Sequence, residues 1–227
     1  MDRLRIKHIP YRLIIQDDYP YSVCENFVTS ETELVTAWHI MQTNKKPNHI
    51  SVYQHYLDCC QRLGIPEVAE EIDKMIVLDY LIVNEDRHQN NFGAIRNADT
   101  LKWEGTAPIY DSGSSLWFNK PIAMIGHSLR LECKPFKKKH AQQIKLVKSF
   151  DWVDLSKLSG INEEVAEIFR DSIFIDARRR DAICKALEKR IELLQDFINS
   201  RKQFYNVDHI AEDVVNNISY SESTLDL

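Results

Sequence analysis

A cluster of polar side chains in residues 83–93, VNEDRHQNNFG, directly follows the apolar run MIVLDYLI. Asp86 and Asn91 form a D-x-x-x-x-N pattern, and Asp111 follows in the segment PIYDSGSS. An aspartate on a loop that leaves a buried element can orient or deprotonate a hydroxyl group. Amide and carboxylate oxygens bind Mg²⁺ when phosphate oxygens complete the coordination. The pattern is typical of ATP-dependent phosphoryl transfer, with Asp86 as the base and Asn91 and Asp111 as metal ligands.

The same residues have two other interpretations. Asp and Asn are common in loops, where they cap helices and turns, and a D-x-x-x-x-N pattern alone is weak. On composition and spacing alone, capping and catalysis are equally supported. A metal-dependent hydrolase using Asp86, His88 and Asp111 is a further alternative, although the spacing is poor for a His-rich site and the reaction would need no ATP.

Composition places the chain among soluble globular proteins, because 44% of its 227 residues are hydrophobic and 28% are charged. The net charge of −5 gives no basic field, so we expect no direct nucleic-acid binding. No apolar run reaches the ~20 residues that span a bilayer, and the N-terminus lacks the apolar core of a signal peptide. The five cysteines lack C-x-x-C spacing. We therefore expect a cytoplasmic protein without a membrane partner.

The sequence predicts that both strands and helices, mostly helices, position the polar cluster. Period-two alternation predicts strands at residues 11–16 and 21–28 around the turn DDYP. A helical pattern starts at Glu33, and Gly64 is the expected C-cap of the next helix. Pro66 opens a helix that should be buried on most sides. Two short strands follow the polar cluster around an Asn-Ala-Asp turn, and the remaining segments are helical up to an acidic tail.

The segments LIVNEDRHQNNFGAI and APIYDSGSSL resemble the catalytic core of the HipA-like serine/threonine kinases, a family named after a bacterial toxin–antitoxin kinase. That family carries D-[RA]-H-x-x-N, a short strand and then a P-x-Y-D metal motif. The resemblance covers roughly residues 6–197. It implies ATP and Mg²⁺ as cofactors, a protein Ser or Thr as acceptor, Asp86 as catalytic base, and Asn91 and Asp111 as Mg²⁺ ligands.

Further upstream, HIPYRLI and CENFV resemble the last N-lobe strands and the hinge of that family. The resemblance implies that the backbone carbonyl of Glu25 and the N–H of Phe27 contact adenine. We therefore predict an α+β fold, mainly α-helical: a protein-kinase-like C-lobe with a residual N-terminal β-hairpin and a small catalytic hairpin. Residues 1–30 would hold the residual N-lobe strands and hinge, residues 31–215 the helical catalytic lobe, and residues 216–227 a flexible tail.

Parts of a complete kinase are missing from the sequence. Kinases use a glycine-rich phosphate cover and a strand lysine held by a helix glutamate, but no glycine precedes Gly64, and we interpret Lys7 as a surface charge. The chain could be a fragment, could receive an N-lobe from a partner such as an antitoxin, or could be a kinase-like module that binds a nucleotide or a partner without turnover. One lost preorganised donor typically costs ~3–4 kcal/mol, and losing two slows transfer roughly 10⁴-fold. We expect negligible turnover by the chain alone.

Other polar residues receive structural interpretations. Arg87 should brace its loop by pairing with a nearby acid, and His88 should be a hydrogen-bonded loop histidine. The run KPFKKKH, residues 134–140, could guide an acidic substrate but is expected to be solvated. The predicted N-terminal hairpin should expose an edge or face that favours self-association.

Overall fold

The structure, a computed structural model, describes residues 1–127 and 131–222, with side chains described up to residue 203. Helices and small antiparallel sheets alternate, and helices form most of the regular secondary structure. The strands are β1 (Tyr11–Gln16), β2 (Tyr19–Cys24), β3 (Thr32–Thr36), β4 (Gly93–Asn97) and β5 (Trp103–Thr106). The α-helices are α1 (Ala37–Gln42), α2 (Val52–Leu63), α3 (Val68–Ile82), α4 (His140–Gln143), α5 (Ile161–Ile168) and α6 (Ala177–Glu222). This architecture confirms the predicted fold class.

Helix α3 is at the centre of the hydrophobic core, as its apolar pattern predicts. Its residues Ile72, Met75 and Leu78 recur at helical spacing and are buried in one cluster that also includes Ile40 of α1 and Leu194 of α6. Fixing this helix in the core gives the loop that follows it a rigid starting point.

The end of α2 is capped as predicted. Gly64 has a φ of 71°, and its N–H bonds to the carbonyls of Cys60 and Gln61. This left-handed conformation favours glycine, which has no Cβ. At its other end, the Ser51 side chain accepts a hydrogen bond from the backbone N–H of Gln54. These two caps set the length of α2.

The helical pattern predicted from Glu33 is wrong for residues 33–36. These residues belong to β3, which pairs antiparallel with β4 in a three-stranded sheet of order β3-β4-β5. Thr36 lies opposite Gly93, where a Cβ would come within 2.2 Å of the Val35 carbonyl oxygen, so the strands approach closely only because residue 93 is glycine. Helix α1 begins afterwards, at Ala37. The predicted β4–β5 hairpin is confirmed.

Strands β1 and β2 form a separate two-stranded sheet, which confirms the predicted N-terminal hairpin. The bounds predicted for the second strand are wrong, because β2 begins at Tyr19, inside the predicted turn, and ends at Cys24 rather than at residue 28. The turn residues Asp17 and Asp18 have φ values of 50° and 63°, as in the tight turns that suit the twist of a hairpin. Apolar side chains are exposed on this sheet, including Leu13 at 61% and Ile15 at 52%. The predicted exposed face is therefore present.

The last helix extends into the region predicted as a tail. Helix α6 continues to Glu222, past the point at residue 216 where the flexible tail was predicted to begin. Residues 223–227 of that predicted tail lie outside the described residues. Within residues 1–127 and 131–222, no helix combines the length and apolarity needed to cross a membrane.

Candidate functional site

A buried ion pair anchors the polar loop to the helix that precedes it. Asp79 lies in the last turn of α3, and Arg87 lies in the following loop. The Arg87 Nε and Nη2 atoms lie 3.0 Å and 2.9 Å from the two Asp79 carboxylate oxygens, and both side chains are fully buried. Burial alone would lower the pKa of Arg87, but the Asp79 charge and hydrogen bonds outweigh it, so that the pKa is raised. The guanidinium therefore stays charged.

The same guanidinium joins two segments that are distant in sequence. Its Nη1 donates to the backbone carbonyls of Asn91, at 3.1 Å, and of Tyr110. Its Nη2 donates to the Ser112 hydroxyl at 2.8 Å. Arg87 thus fixes residues 86–91 against residues 110–112. This confirms that Arg87 braces its loop by pairing with a nearby acid.

Asn84 completes the brace. Its amide nitrogen donates to Asp79 Oδ1 at 3.0 Å, and its amide oxygen accepts from the backbone N–H of Asp86 at 3.2 Å. Sequence reasoning missed the roles of Asp79 and Asn84. A signal was present, because Asp79 is an acid inside an apolar helical run, and a buried acid needs a partner.

The three residues predicted to act on Mg·ATP lie on the two joined segments. The Asn91 amide nitrogen donates to the Asp86 carbonyl at 3.2 Å, which leaves the amide oxygen as the atom that could bind a cation. Asp111 is exposed, has a φ of 49°, and donates its N–H to the Tyr11 hydroxyl at 3.2 Å. Asn91 contacts Asp86, and Asp111 is held next to them through the contacts of Arg87.

Lys134 is a functional candidate that sequence reasoning missed. Its Nζ lies 2.6 Å from Asp86 Oδ1, so this exposed lysine of the run 134–140 forms an ion pair with the proposed base. The buried Gln143 holds its segment, because its amide nitrogen donates to the Lys134 carbonyl at 2.7 Å and its amide oxygen accepts from the N–H of Phe136 at 3.0 Å. The other lysines of the run, Lys137, Lys138 and Lys139, are exposed, as predicted.

His88 fits the predicted role of a hydrogen-bonded loop residue. Its Nδ1 accepts from the backbone N–H of Asn90 at 3.2 Å. Over the described ranges, no group of three or more His, Cys, Asp and Glu side chains is placed to hold a metal. Asp86, His88 and Asp111 therefore do not form the site that a metal hydrolase would need. A Mg²⁺ site with one carboxylate and one amide is a different case, since phosphate and water oxygens supply its other ligands.

The two residues assigned to adenine differ in their surroundings. Phe27 packs against Tyr110, next to Asp111, with ring centroids 5.3 Å apart. Glu25 is exposed, just after β2. The structure therefore brings Phe27 to the site through its ring contact with Tyr110.

The helical body, the small antiparallel sheets and the loop-borne Asp86, Asn91 and Asp111 define a kinase-like protein. Residues 17–179 match the model of the HipA-like C-terminal domain, so the chain belongs to that family. Among solved structures, the Helicobacter pylori proinflammatory kinase CtkA matches with a TM-score of 0.63 and 18% identity, over 88% of this chain and 84% of that chain. At this identity the likeness shows the fold. No curated protein matches the sequence.

Proposed function

We propose that the chain is the catalytic lobe of a HipA-like kinase, which transfers the γ-phosphoryl group of ATP to a Ser or Thr of a protein. One observation carries this proposal. The buried Arg87 holds the loop with Asp86 and Asn91 against the loop with Asp111. A base and two oxygen ligands on adjacent, fixed loops are the arrangement that phosphoryl transfer requires.

Each residue has a role in this proposal. Asp86 orients the acceptor hydroxyl and takes its proton. The Asn91 amide oxygen and the Asp111 carboxylate are hard oxygen donors of the type that binds Mg²⁺. When bound, Mg²⁺ supplies positive charge that neutralises the phosphates. The Glu25 carbonyl and the Phe27 N–H bind the adenine edge, with Phe27 located by its contact with Tyr110.

We also propose that a further polypeptide segment covers the phosphates, from an antitoxin-like partner, from another chain that supplies an N-lobe, or from another part of the same protein. Two features support this. The sequence has no glycine before Gly64, and so no glycine-rich cover near the hinge. The β1–β2 sheet next to that hinge exposes Leu13, Ile14 and Ile15, and exposed apolar faces of this kind mark interaction sites.

The missing glycines favour a second candidate function. A kinase-like module could bind a nucleotide or regulate a partner without turnover. Both candidate functions are compatible with the fold. Only the catalytic lobe should transfer phosphate once a phosphate cover is provided.

Transfer of labelled phosphate from ATP to a mixture of Ser/Thr proteins tests the proposal. We expect turnover far below one per second for the chain alone and a large increase with a cover-supplying partner. Asp86→Asn should reduce the stimulated rate roughly 10²–10⁴-fold, whereas Asp99→Asn, in the exposed β4–β5 turn, should have no effect. A wild-type rate in Asp86→Asn would overturn the assignment of the base, and turnover near one per second without a partner would overturn the need for a cover.

A further inference from the structure

An open cavity of about 350 Å³ lies beside the Asp86–Lys134 ion pair, lined by Trp38, His88, Gln89, Asn90, Lys134 and Pro135. We propose that this cavity is the acceptor subsite, and that it binds a large apolar side chain next to the Ser or Thr that receives the phosphoryl group. The inference rests on the proposed function and adds a substrate class to it.

One wall of the cavity is an aromatic residue whose backbone is fixed to the catalytic loop. The N–H of Trp38 donates to the Gln89 carbonyl at 3.0 Å, and the N–H of Ala37 donates to the Phe92 carbonyl at 2.8 Å. The Thr36 hydroxyl also donates to the Asn90 amide oxygen at 3.2 Å. The start of α1 is therefore attached to residues 89–92 at three points.

Despite this anchoring, Trp38 is 44% exposed. Its ring meets the His39 ring edge-on, with centroids 4.9 Å apart. A large apolar side chain on a fixed backbone loses little conformational entropy when a ligand covers it, and tryptophan is enriched among residues that dominate binding energy. Packing of an apolar substrate side chain on the Trp38 ring would explain why this ring is exposed.

The cavity is also lined by a segment with backbone contacts to the buried Gln143. Pro135 has a fixed ring, and the preceding Lys134 is held by the Gln143 amide and by Asp86. Trp38 and Pro135 supply apolar surface to the cavity, and residues 88–90 supply polar surface. The size is at the lower end of ligand pockets, which suits one large side chain rather than a folded domain.

The position of the cavity favours a segment of the acceptor protein as its occupant. Lys134 lines the cavity and its Nζ lies 2.6 Å from Asp86 Oδ1, so the cavity is connected to the proposed base through this ion pair. Successive residues of an extended segment are spaced by roughly 3.3–3.6 Å. A segment that brings its hydroxyl to Asp86 therefore places a neighbouring side chain in the cavity. Adenine is the competing occupant, but its proposed contact Phe27 packs against Tyr110, and neither of these two residues lines the cavity.

Fluorescence anisotropy with labelled peptides tests the inference. One peptide carries Phe next to its serine, and a matched peptide carries Gly there. We expect the wild-type chain with Mg·ATP analogue to prefer the Phe peptide, and Trp38→Ala to weaken binding of that peptide roughly 10–30-fold, as for an interface hot spot. Trp38→Phe should retain part of the preference. The control Phe118→Ala removes another exposed aromatic, which does not line the cavity.

The same titrations separate failure of the inference from failure of the proposed function. Equal binding of both peptides, or an unchanged preference in Trp38→Ala, would overturn the acceptor subsite while Asp111-dependent Mg·ATP binding upholds the function. Loss of Mg·ATP binding in Trp38→Ala, with the fold intact by circular dichroism, would assign the cavity to the nucleotide and overturn the inference. Absence of Mg·ATP binding by the wild-type chain would overturn both.

Discussion

The loop that carries Asp86 and the hairpin β1–β2 are stabilised in opposite ways. The loop is fixed by buried polar groups: Asp79, Asn84 and Arg87 are each at 0% exposure and bond to one another or to adjacent backbone. The hairpin has paired strands, but its residues Leu13 and Ile15 are exposed. A buried charged network is tolerated only when its groups are satisfied, so the loop geometry is specified within this chain.

The difference indicates which half of the site is complete. Asp86 and Asn91 lie on the loop that follows the core helix α3, and the buried Arg87 bonds this loop to the segment with Asp111. The residues proposed to hold adenine follow the exposed hairpin, whose apolar face suits a covering partner.

Arg87→Ala should have the largest effect. It leaves the Asp79 carboxylate buried without its charged partner, which typically costs about 3–5 kcal/mol of unfolding free energy. The matched control is Arg96→Ala, which breaks the partly exposed pair with Glu33 and should cost at most about 1 kcal/mol. Urea denaturation measures both values. Similar losses in the two variants would contradict a fixed loop.

Acid should destabilise the fold through His140. Burial, and then the charge of Arg190, lower the pKa of His140 to about 3. The unfolded chain titrates near the usual value of ~6.5, so it binds more protons than the folded chain between pH 6.5 and about 3. The contribution of His140 to the unfolding free energy is therefore fully present above pH 6.5. It decreases as the pH is lowered and is smaller by about 3 kcal/mol at pH 4.

His140→Gln should flatten this acid dependence, whereas His49→Gln, at an exposed position, should not. Denaturation midpoints at pH 7 and pH 4 provide the comparison. If His140→Gln lost as much stability on acidification as the wild type, the buried neutral imidazole would not be the cause.

Tyr11→Phe should weaken Mg·ATP binding modestly. The Tyr11 hydroxyl accepts the N–H of Asp111, and it connects the hairpin with the metal loop. Losing one such hydrogen bond costs about 0.5–1.5 kcal/mol, or roughly 2–12-fold in affinity. Tyr19→Phe, on the same hairpin, is the matched control, because Tyr19 is 68% exposed. An effect of Tyr19→Phe equal to that of Tyr11→Phe would show that the hairpin acts nonspecifically.

Leu13→Thr combined with Ile15→Thr should change the unfolding free energy least, by no more than about 0.5 kcal/mol, because both side chains are exposed. Threonine is β-branched and therefore suits both strand positions. Sedimentation velocity should show less self-association than for the wild type. A loss of stability comparable with that of Arg87→Ala would mean that the hairpin is part of the core.

The sequence was informative where local patterns determine structure. The period of α3, the Gly64 cap and the β4–β5 hairpin are local features, and the structure confirms them. Strand β3 was missed because its pairing with β4 joins residues 32–36 to residues 93–97, and this contact overrides a weak helical pattern.

The candidate site shows the same limit. The motif residues Asp86, Asn91 and Asp111 could be selected from spacing, and the need of Arg87 for an acid could be inferred. Its partner Asp79 lies inside a helix, and Lys134 comes from a segment distant in sequence from Asp86. Side-chain pairs across such separations depend on the packed fold, so spacing alone does not identify them.

Magnesium-dependent ATP binding by Asp111→Ala tests the central claim most directly. Isothermal titration with a non-hydrolysable ATP analogue, with and without Mg²⁺, should show metal-dependent binding by the wild-type chain and by the control Asp99→Ala. In Asp111→Ala that dependence should be lost while the fold is retained. Unchanged Mg²⁺-dependent binding in Asp111→Ala would contradict the account.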